Sequence, residues 1–502
     1  MQFEKNNRKY SLSIIIFCLI LLVIISFFYY NLPPIDDALI IERYFRNFRE
    51  GYGIYFNPNE SLNYGYTSIL GTWINALISV LFSLDIFTLR FILPSLTFIF
   101  IFFINLKFIF KENLLFSIIP IISPLFLYWS YSGVESFWIV FFIYLSSYFT
   151  KKKKYNLLSI TIGSSFLFRP EMIFCSAPFY IFFMRNISKK YSLGEKFISL
   201  SLLFLPLIIS IFIISNNYEN IIPLSIIAKS FNNDISYISF FKTLIKNSIG
   251  SFDNKYLTFS YYLLILLAFI TSFDYLKNRK IKSDKSTPIN LISVFNNFFK
   301  EENIIQNINI SFISYAIYLI YFKAYFPWYF SPITYWVAIL ILLFINRLSH
   351  IFSIKKLLIF SILTLFIASN INSIKMRNSY IKEFYIDAQM TYINFIKNKL
   401  KKGSKVMTGS SGYSSYFLDE FIINDFTGLD SLEVIKLRKK FPVDFEERAL
   451  CQNLVDVLVK RENNKRPKRL CKNITEIKLN LSDEIKQEYR NWFLFIRKES
   501  FK

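Results

Sequence analysis

Apolar residues in this chain come in long unbroken runs rather than in the short alternations of half-buried strands. Runs of about 14 to 22 residues recur over the first 371 positions, the pattern that a hydrocarbon layer selects. The first, Ser11 to Tyr30, ends at Pro33–Pro34; others follow at 66–84, 87–106, 114–131 and 134–150. The pattern predicts a polytopic α-helical membrane domain over residues 1–371, with roughly 11 to 12 membrane helices, some of them short or re-entrant. A polar tail follows. Within it, 372–400 reads as an amphipathic helix and SKVMTG (404–409) as a strand. GSSGYSSYFL reads as a glycine-rich turn entering a short helix, FIIND (421–425) as a second strand and LVDVLV (454–459) as a third. Strands alternating with helical stretches predict a small α/β domain over 372–502. A glycine-rich turn after a strand is weak support for phosphate binding, and a plain turn is the simpler reading.

Composition sharpens the class. Of 502 residues, 53% are hydrophobic and 59 are Phe, more apolar surface than a soluble fold of this length hides. The formal net charge of +23 does not imply a nucleic-acid partner, because the lysines and arginines cluster between apolar runs, where they orient membrane helices. The N-terminal bases Lys5, Arg8 and Lys9 put the N-terminus in the cytoplasm, and Ser11 to Tyr30 lacks a cleavage site and reads as a retained helix. Basic clusters at Lys151–Lys154, Arg185–Lys196, Lys277–Lys285 and Arg347–Lys356 should likewise be cytoplasmic. Loop 31–67 and the tail then lie outside. One stretch conflicts with this order: four crossings between loop 31–67 and Lys151 would leave those lysines outside. One of the four runs must therefore be partial, re-entrant or part of a broken unit, and Pro94, Pro120 and Pro124 make a break credible. Segment 277–308 is polar and irregular and reads as a linker.

A single histidine, His350, argues against a histidine-rich metal site or a His-centred triad. Cys18 and Cys175 sit in apolar runs as small hydrophobes. Cys451 and Cys471 lie in the tail, and an external compartment would let them pair as a disulfide.

Directly after the first run stand two adjacent carboxylates, Asp36 and Asp37, with Glu42, Arg43, Arg46 and Arg49 on the following turns. One aspartate at a helix start is explained by capping. The second is not. Sugar transfer needs a carboxylate to deprotonate an acceptor hydroxyl or to stabilise charge at the anomeric carbon, and cations to hold a leaving phosphate. Arg43, Arg46, Arg169 in FRPEM (168–172) and Lys229 in IIAKS are the external cations available.

The loop IDDALIIERYFRNFREGYGIYFNPNESLNYGYTS resembles the first external loop of GT-C-fold membrane glycosyltransferases, nearest to the family of the mycobacterial terminal arabinofuranosyltransferase. YSGVES (131–136), FRPEM, YENIIPLSIIAKS (218–230) and GYSSYFLDEFIINDFTGLDS (412–431) resemble further stretches of that family in the same order. The resemblance implies a GT-C-like fold, a polyprenyl-phosphate-sugar donor and an external glycan or lipid-linked glycan acceptor, in the cytoplasmic (inner) membrane of a bacterium. It implies Asp36 and Asp37 as catalytic acids and Arg43 as a phosphate-binding or loop-ordering cation. Arg46, Tyr66, Glu135, Arg169, Glu171 and Lys229 are implied at the donor phosphate or substrate. Tyr64, Met172, Leu224 and Ser225 depart from the family's pattern. Two adjacent acids also suit a divalent cation, and the sequence leaves a metal requirement open. A transporter or flippase, or a polymerase or ligase of lipid-linked glycans, remains the alternative reading; no internal repeat of the transporter kind is evident.

Overall fold

The computed structural model describes residues 34–58, 63–110, 113–190, 192–230, 304–322, 327–347, 388–461, 473–480 and 491–502, with single positions between 16 and 29 and between 359 and 375. Most of the run Ser11 to Tyr30, residues 231–303 with most of the expected linker, and Cys471 lie outside the described residues. The chain divides into two compact units. One holds Met1–Asn31, Arg90–Ile208 and Ile235–Lys375; the other holds Leu32–Leu89, Ile209–Asp234 and Met376–Lys502.

The first unit is helical. Among the described residues, three stretches are long and apolar enough to cross a membrane: Ile86–Ile109, Leu193–Asn217 and Ile304–Tyr321. Shorter apolar helices run over Phe137–Lys151, Tyr155–Phe168, Met172–Met184 and Trp328–Leu343. The expected run 114–131 is broken: helices Leu114–Ile118 and Pro124–Tyr131 are separated by turns around Pro120. Pro94, by contrast, sits inside the continuous helix Ile86–Ile104. Helix Ile304–Tyr321 begins within the segment 277–308 read as linker. A π-helical turn, Asn105–Ile109, presents a buried amide. Asn105 donates to the Ser117 carbonyl and to the Tyr335 hydroxyl, both at 3.1 Å, and accepts from Tyr144 at 2.7 Å. Tyr335 in turn donates to Tyr144 at 2.6 Å. Inside an apolar bundle each of these groups must find a partner within the protein, and this closed network supplies it.

The second unit carries all five strands described: β1 (Lys405–Thr408), β2 (Ile422–Asp425), β3 (Val457–Arg461), β4 (Ile474–Asn480) and β5 (Asn491–Arg497). Their order in the sheet is β2-β1-β3-β5-β4. β1 pairs in parallel with β2 and β3, whereas β5 runs antiparallel to β3 and β4. The parallel half needs helical crossovers, as the three strands anticipated from sequence imply. Its helices are α1 (Asp36–Arg49), α2 (Ile69–Phe82), α3 (Leu224–Ser230), α4 (Ala388–Lys399), α5 (Ser411–Phe417), α6 (Leu432–Lys440) and α7 (Phe445–Cys451). The compact unit is thus larger than the expected tail 372–502: the loop after the first helix, α2 and α3 fold with it. Tyr44, Phe45, Phe56, Tyr64 and Tyr66 from the loop share one core with Val406, Ile423, Val457 and Leu494 from the sheet.

Candidate active site

The site is built on α1. Its start, Asp36–Asp37, follows the extended Ile35, which occupies the N-cap position, and the Asp36 carboxyl bonds outside its own helix. Capping of α1 therefore does not account for Asp36. Its Oδ1 accepts the backbone N–H of Tyr413 at 2.8 Å, at the start of α5, and the Tyr413 hydroxyl donates to the Pro34 carbonyl at 2.9 Å. Gly412 is the residue that lets the two backbones meet: a Cβ there would sit 1.9 Å from the Asp36 carbonyl oxygen.

Two turns along α1, Arg43 closes the opposite end of α5. Its guanidinium N–H groups donate to four backbone carbonyls: Phe56 (3.1 Å), Ser415 (3.0 Å), Asp419 (3.3 Å) and Phe421 (3.1 Å). Arg46 adds Ser415 at 2.8 Å and Tyr416 at 3.1 Å. The acid meets the positive end of the α5 dipole and the bases meet its negative end, which is the favourable sense for both. The remaining charges act the same way on other helices. Arg49 donates to Ser79 Oγ (2.6 Å) and to the Leu84 carbonyl (3.2 Å) at the end of α2. Glu42 binds Arg49 at 2.6 Å and accepts the Ile86 N–H at 2.9 Å, at the start of the long helix that follows. The sequence gives Glu42 and Arg49 no role of their own, because their spacing carries no sign of which helix ends they meet.

Two further carboxylates change the electrostatics of Asp36. Asp37, next in the chain, is exposed. Asp425, at the end of β2, is buried and accepts from Ser411 Oγ at 3.1 Å and from the Thr427 N–H at 2.6 Å. Burial pushes the Asp36 carboxyl up to about 7; the Tyr413 and Gly412 N–H groups pull it back, while the charges of Asp37 and Asp425 add to the rise. Burial raises the Asp425 carboxyl as well, against the hydrogen bonds from Thr427 and Ser411. Burial, helped by neighbouring Arg46, lowers Arg43 to about 10, so it stays cationic at neutral pH. Asp425 was visible in sequence only as part of the GYSSYFLDEFIINDFTGLDS resemblance.

Other predicted residues fall as follows. Tyr66 is buried, its hydroxyl shared with Tyr218 at 2.8 Å and receiving the Trp73 indole N–H at 2.9 Å. Lys229 belongs to α3, which packs through Leu224 and Ala228 against Ile435 of α6. In the helical unit, Arg169 is buried and its Nε donates to Glu171 at 2.8 Å. Glu135 lies 4.0 Å from the same guanidinium, which also stands 5.4 Å from the centre of the Tyr329 ring. The three residues inferred from two separate motifs are brought together. Cys451 is disulfide-bonded, and its expected partner Cys471 lies outside the described residues. Among the described residues, no group of three or more His, Cys, Asp or Glu side chains is placed to hold a metal ion.

The described residues thus combine three membrane-length apolar helices with a five-stranded mixed sheet, the make-up of an integral membrane protein that carries an α/β unit. The particular likeness is to ArnT from Cupriavidus metallidurans, in its crystal structure bound to undecaprenyl phosphate. The two share a TM-score of 0.57 and 9% sequence identity, over 96% of this chain and 97% of that one. No protein-family model matches the chain, and no curated protein does.

Proposed function

We propose that this protein is a glycosyltransferase that moves a hexosyl or pentosyl group from a polyprenyl-phosphate donor to a glycan or lipid-linked glycan on the external face of the membrane. The observation that carries the reading is Asp36: a carboxyl only partly open to solvent, fixed by backbone donors, raised to about 7, with the exposed Asp37 beside it. A general base works best when its pKa lies near the working pH. Asp36 takes the proton of the acceptor hydroxyl as its oxygen attacks the anomeric carbon. The bond from that carbon to the donor phosphate breaks, and the polyprenyl phosphate leaves with the electron pair. Asp37 faces the positive charge that develops on the sugar. The structurally similar ArnT binds undecaprenyl phosphate in its crystal structure, which supports a donor of lipid-phosphate chemistry here.

Arg43 orders the loop in this reading rather than binding phosphate, because its donors already serve four carbonyls. Lys229, on α3 of the same unit, is the cation this reading assigns to the donor phosphate. The test is transfer from a polyprenyl-phosphate sugar to a lipid-free acceptor by purified protein in proteoliposomes. Asp36→Asn and Asp37→Asn should each lower turnover by roughly 100-fold or more, the range of general acid–base catalysis, with unchanged membrane yield. Turnover within a few-fold of wild type for both variants would remove the assignment. Translocation of lipid-linked sugar without transfer would favour the flippase reading instead.

A further inference from the structure

Helix α3, which carries Lys229, has only seven residues, too few to hold its own shape or place. Leu224 and Ala228 pack on Ile435 of α6, and the start of the helix is held by the loop before α2. The Leu224 N–H is the first helical donor, one that no carbonyl of α3 can serve. It donates to the Tyr64 carbonyl at 2.9 Å. The Tyr64 hydroxyl donates to the Ile221 carbonyl, and the Asn220 side-chain amide donates to Asn63 Oδ1. The buried Tyr64 ring stands 4.7 Å from that of Tyr218, whose hydroxyl donates to the Ile54 carbonyl at 2.8 Å.

The same loop is tied to α1. Gly65 donates its N–H to the hydroxyl of Tyr44, on α1, at 2.9 Å. The Tyr44 and Tyr66 rings meet edge to face at 4.9 Å. An added Cβ at Gly65 would stand 1.9 Å from the Leu429 carbonyl oxygen, so the loop has no room to slide. Residues 63–66 therefore join the helix of Asp36 and Asp37 to the helix of Lys229, within one compact unit. Tyr64 and Leu224, two of the four positions that depart from the resembled pattern, are bonded to each other here.

We infer that Tyr64 is a positioning residue: it sets α3, and with it Lys229, at a fixed place relative to the α1 carboxylates. This rests on Lys229 being the cation for the donor phosphate. One tyrosine suits the task, because its stiff ring packs on Tyr218 while its hydroxyl reaches the Ile221 carbonyl. Its backbone carbonyl caps the helix at the same time.

The test uses the full-length protein in proteoliposomes. Tyr64→Phe keeps the ring and the backbone carbonyl and removes only the hydroxyl. Hydrogen exchange over residues 219–228 should quicken by roughly five-fold, as expected for one lost hydrogen bond, with β1 unchanged. Asn220→Ala, which frees the same segment from Asn63, should act in the same sense. Donor kcat/KM should fall about five-fold in Tyr64→Phe, while acceptor KM and the pH midpoint of turnover stay at wild type. Combined with Lys229→Ala, Tyr64→Phe should cost nothing beyond Lys229→Ala alone, because it acts through that lysine. Unchanged exchange in both single variants would overturn the inference, and so would losses that multiply in the double variant. Quickened exchange with full turnover in Lys229→Ala would remove the reading of Lys229, and this inference with it. The base assignment would then still be judged by Asp36→Asn.

Discussion

Asp36 shows how one side chain is tuned by a segment 377 positions away in the chain. Because its folded pKa lies above the ordinary value of 3.8, the folded protein holds the extra proton more tightly than the unfolded chain does. Its contribution to stability is therefore complete below about pH 4 and is lost as pH rises through about 7. Asn at this position keeps an oxygen for the Tyr413 N–H but cannot ionise. Asp36→Asn should accordingly flatten the fall in Tm between pH 5 and pH 8, with Tm at pH 8 no lower than wild type. Loss of Tm across the whole range would make Asp36 a structural residue alone. In the proposed reaction the ionised form is the base, so turnover should rise with pH towards about 7 and level off above it. Arg43 is the opposite case. Removing it takes a donor from four carbonyls: Ser415 keeps Arg46 and Phe56 keeps Asn47, but Asp419 and Phe421 in the tail lose the guanidinium. Arg43→Ala should cost about 3 kcal/mol or more, read as a lower Tm and faster proteolysis of the tail. Arg43→Lys should not restore it, because an ammonium cannot reproduce the planar fork.

At the scale of elements, α1 and α5 lie side by side in the same sense, with their starts together and their ends together. Five of the six charges on α1 are placed at the end of another helix: Asp36, Arg43 and Arg46 on α5, Arg49 on α2, Glu42 on the helix beginning at Ile86. The contact between α1 and α5 depends on Gly412, where an added Cβ would meet a backbone atom that no rotamer change can move aside. Gly412→Ala should force the two helices apart and cost about 2–4 kcal/mol. Gly194, in an open position with nothing within 4 Å, is the control: Gly194→Ala should be neutral or slightly stabilising. Thermal unfolding of both variants decides this; equal Tm values would mean that the close approach does not constrain the fold. Asp36→Asn with Gly412 intact separates loss of chemistry from loss of geometry.

At the scale of the whole chain, the disulfide at Cys451 fits a tail in an oxidising compartment. Peptide mapping without reductant should recover Cys451 linked to Cys471, across nineteen intervening residues. Reduction should lower the stability of the second unit by roughly 3 kcal/mol in the chain-entropy model. Recovery of Cys471 as a free thiol would remove this pairing. How far such features are legible beforehand depends on whether they are local. Runs of apolar residues, the break near Pro120 and Pro124, and the strands at 405–408, 422–425 and 457–461 follow from periodicity and backbone restriction, which act over a few residues. The adjacency of Asp36 and Asp37, and the motifs holding Glu135, Arg169 and Glu171, were also open to reading along the chain. Strands β4 and β5 were not foreseen, although WFLFI (492–496) is a short apolar run and ITEIKLN (474–480) alternates. Only the tertiary structure decided what the α1 charges meet, and that the loop after the first helix folds with the tail rather than standing apart from it. The physical reason is that a charge is given its role by the dipole and the burial it finds in space. For Asp36, Arg43 and Arg46 those belong to a helix more than 360 residues further along the chain.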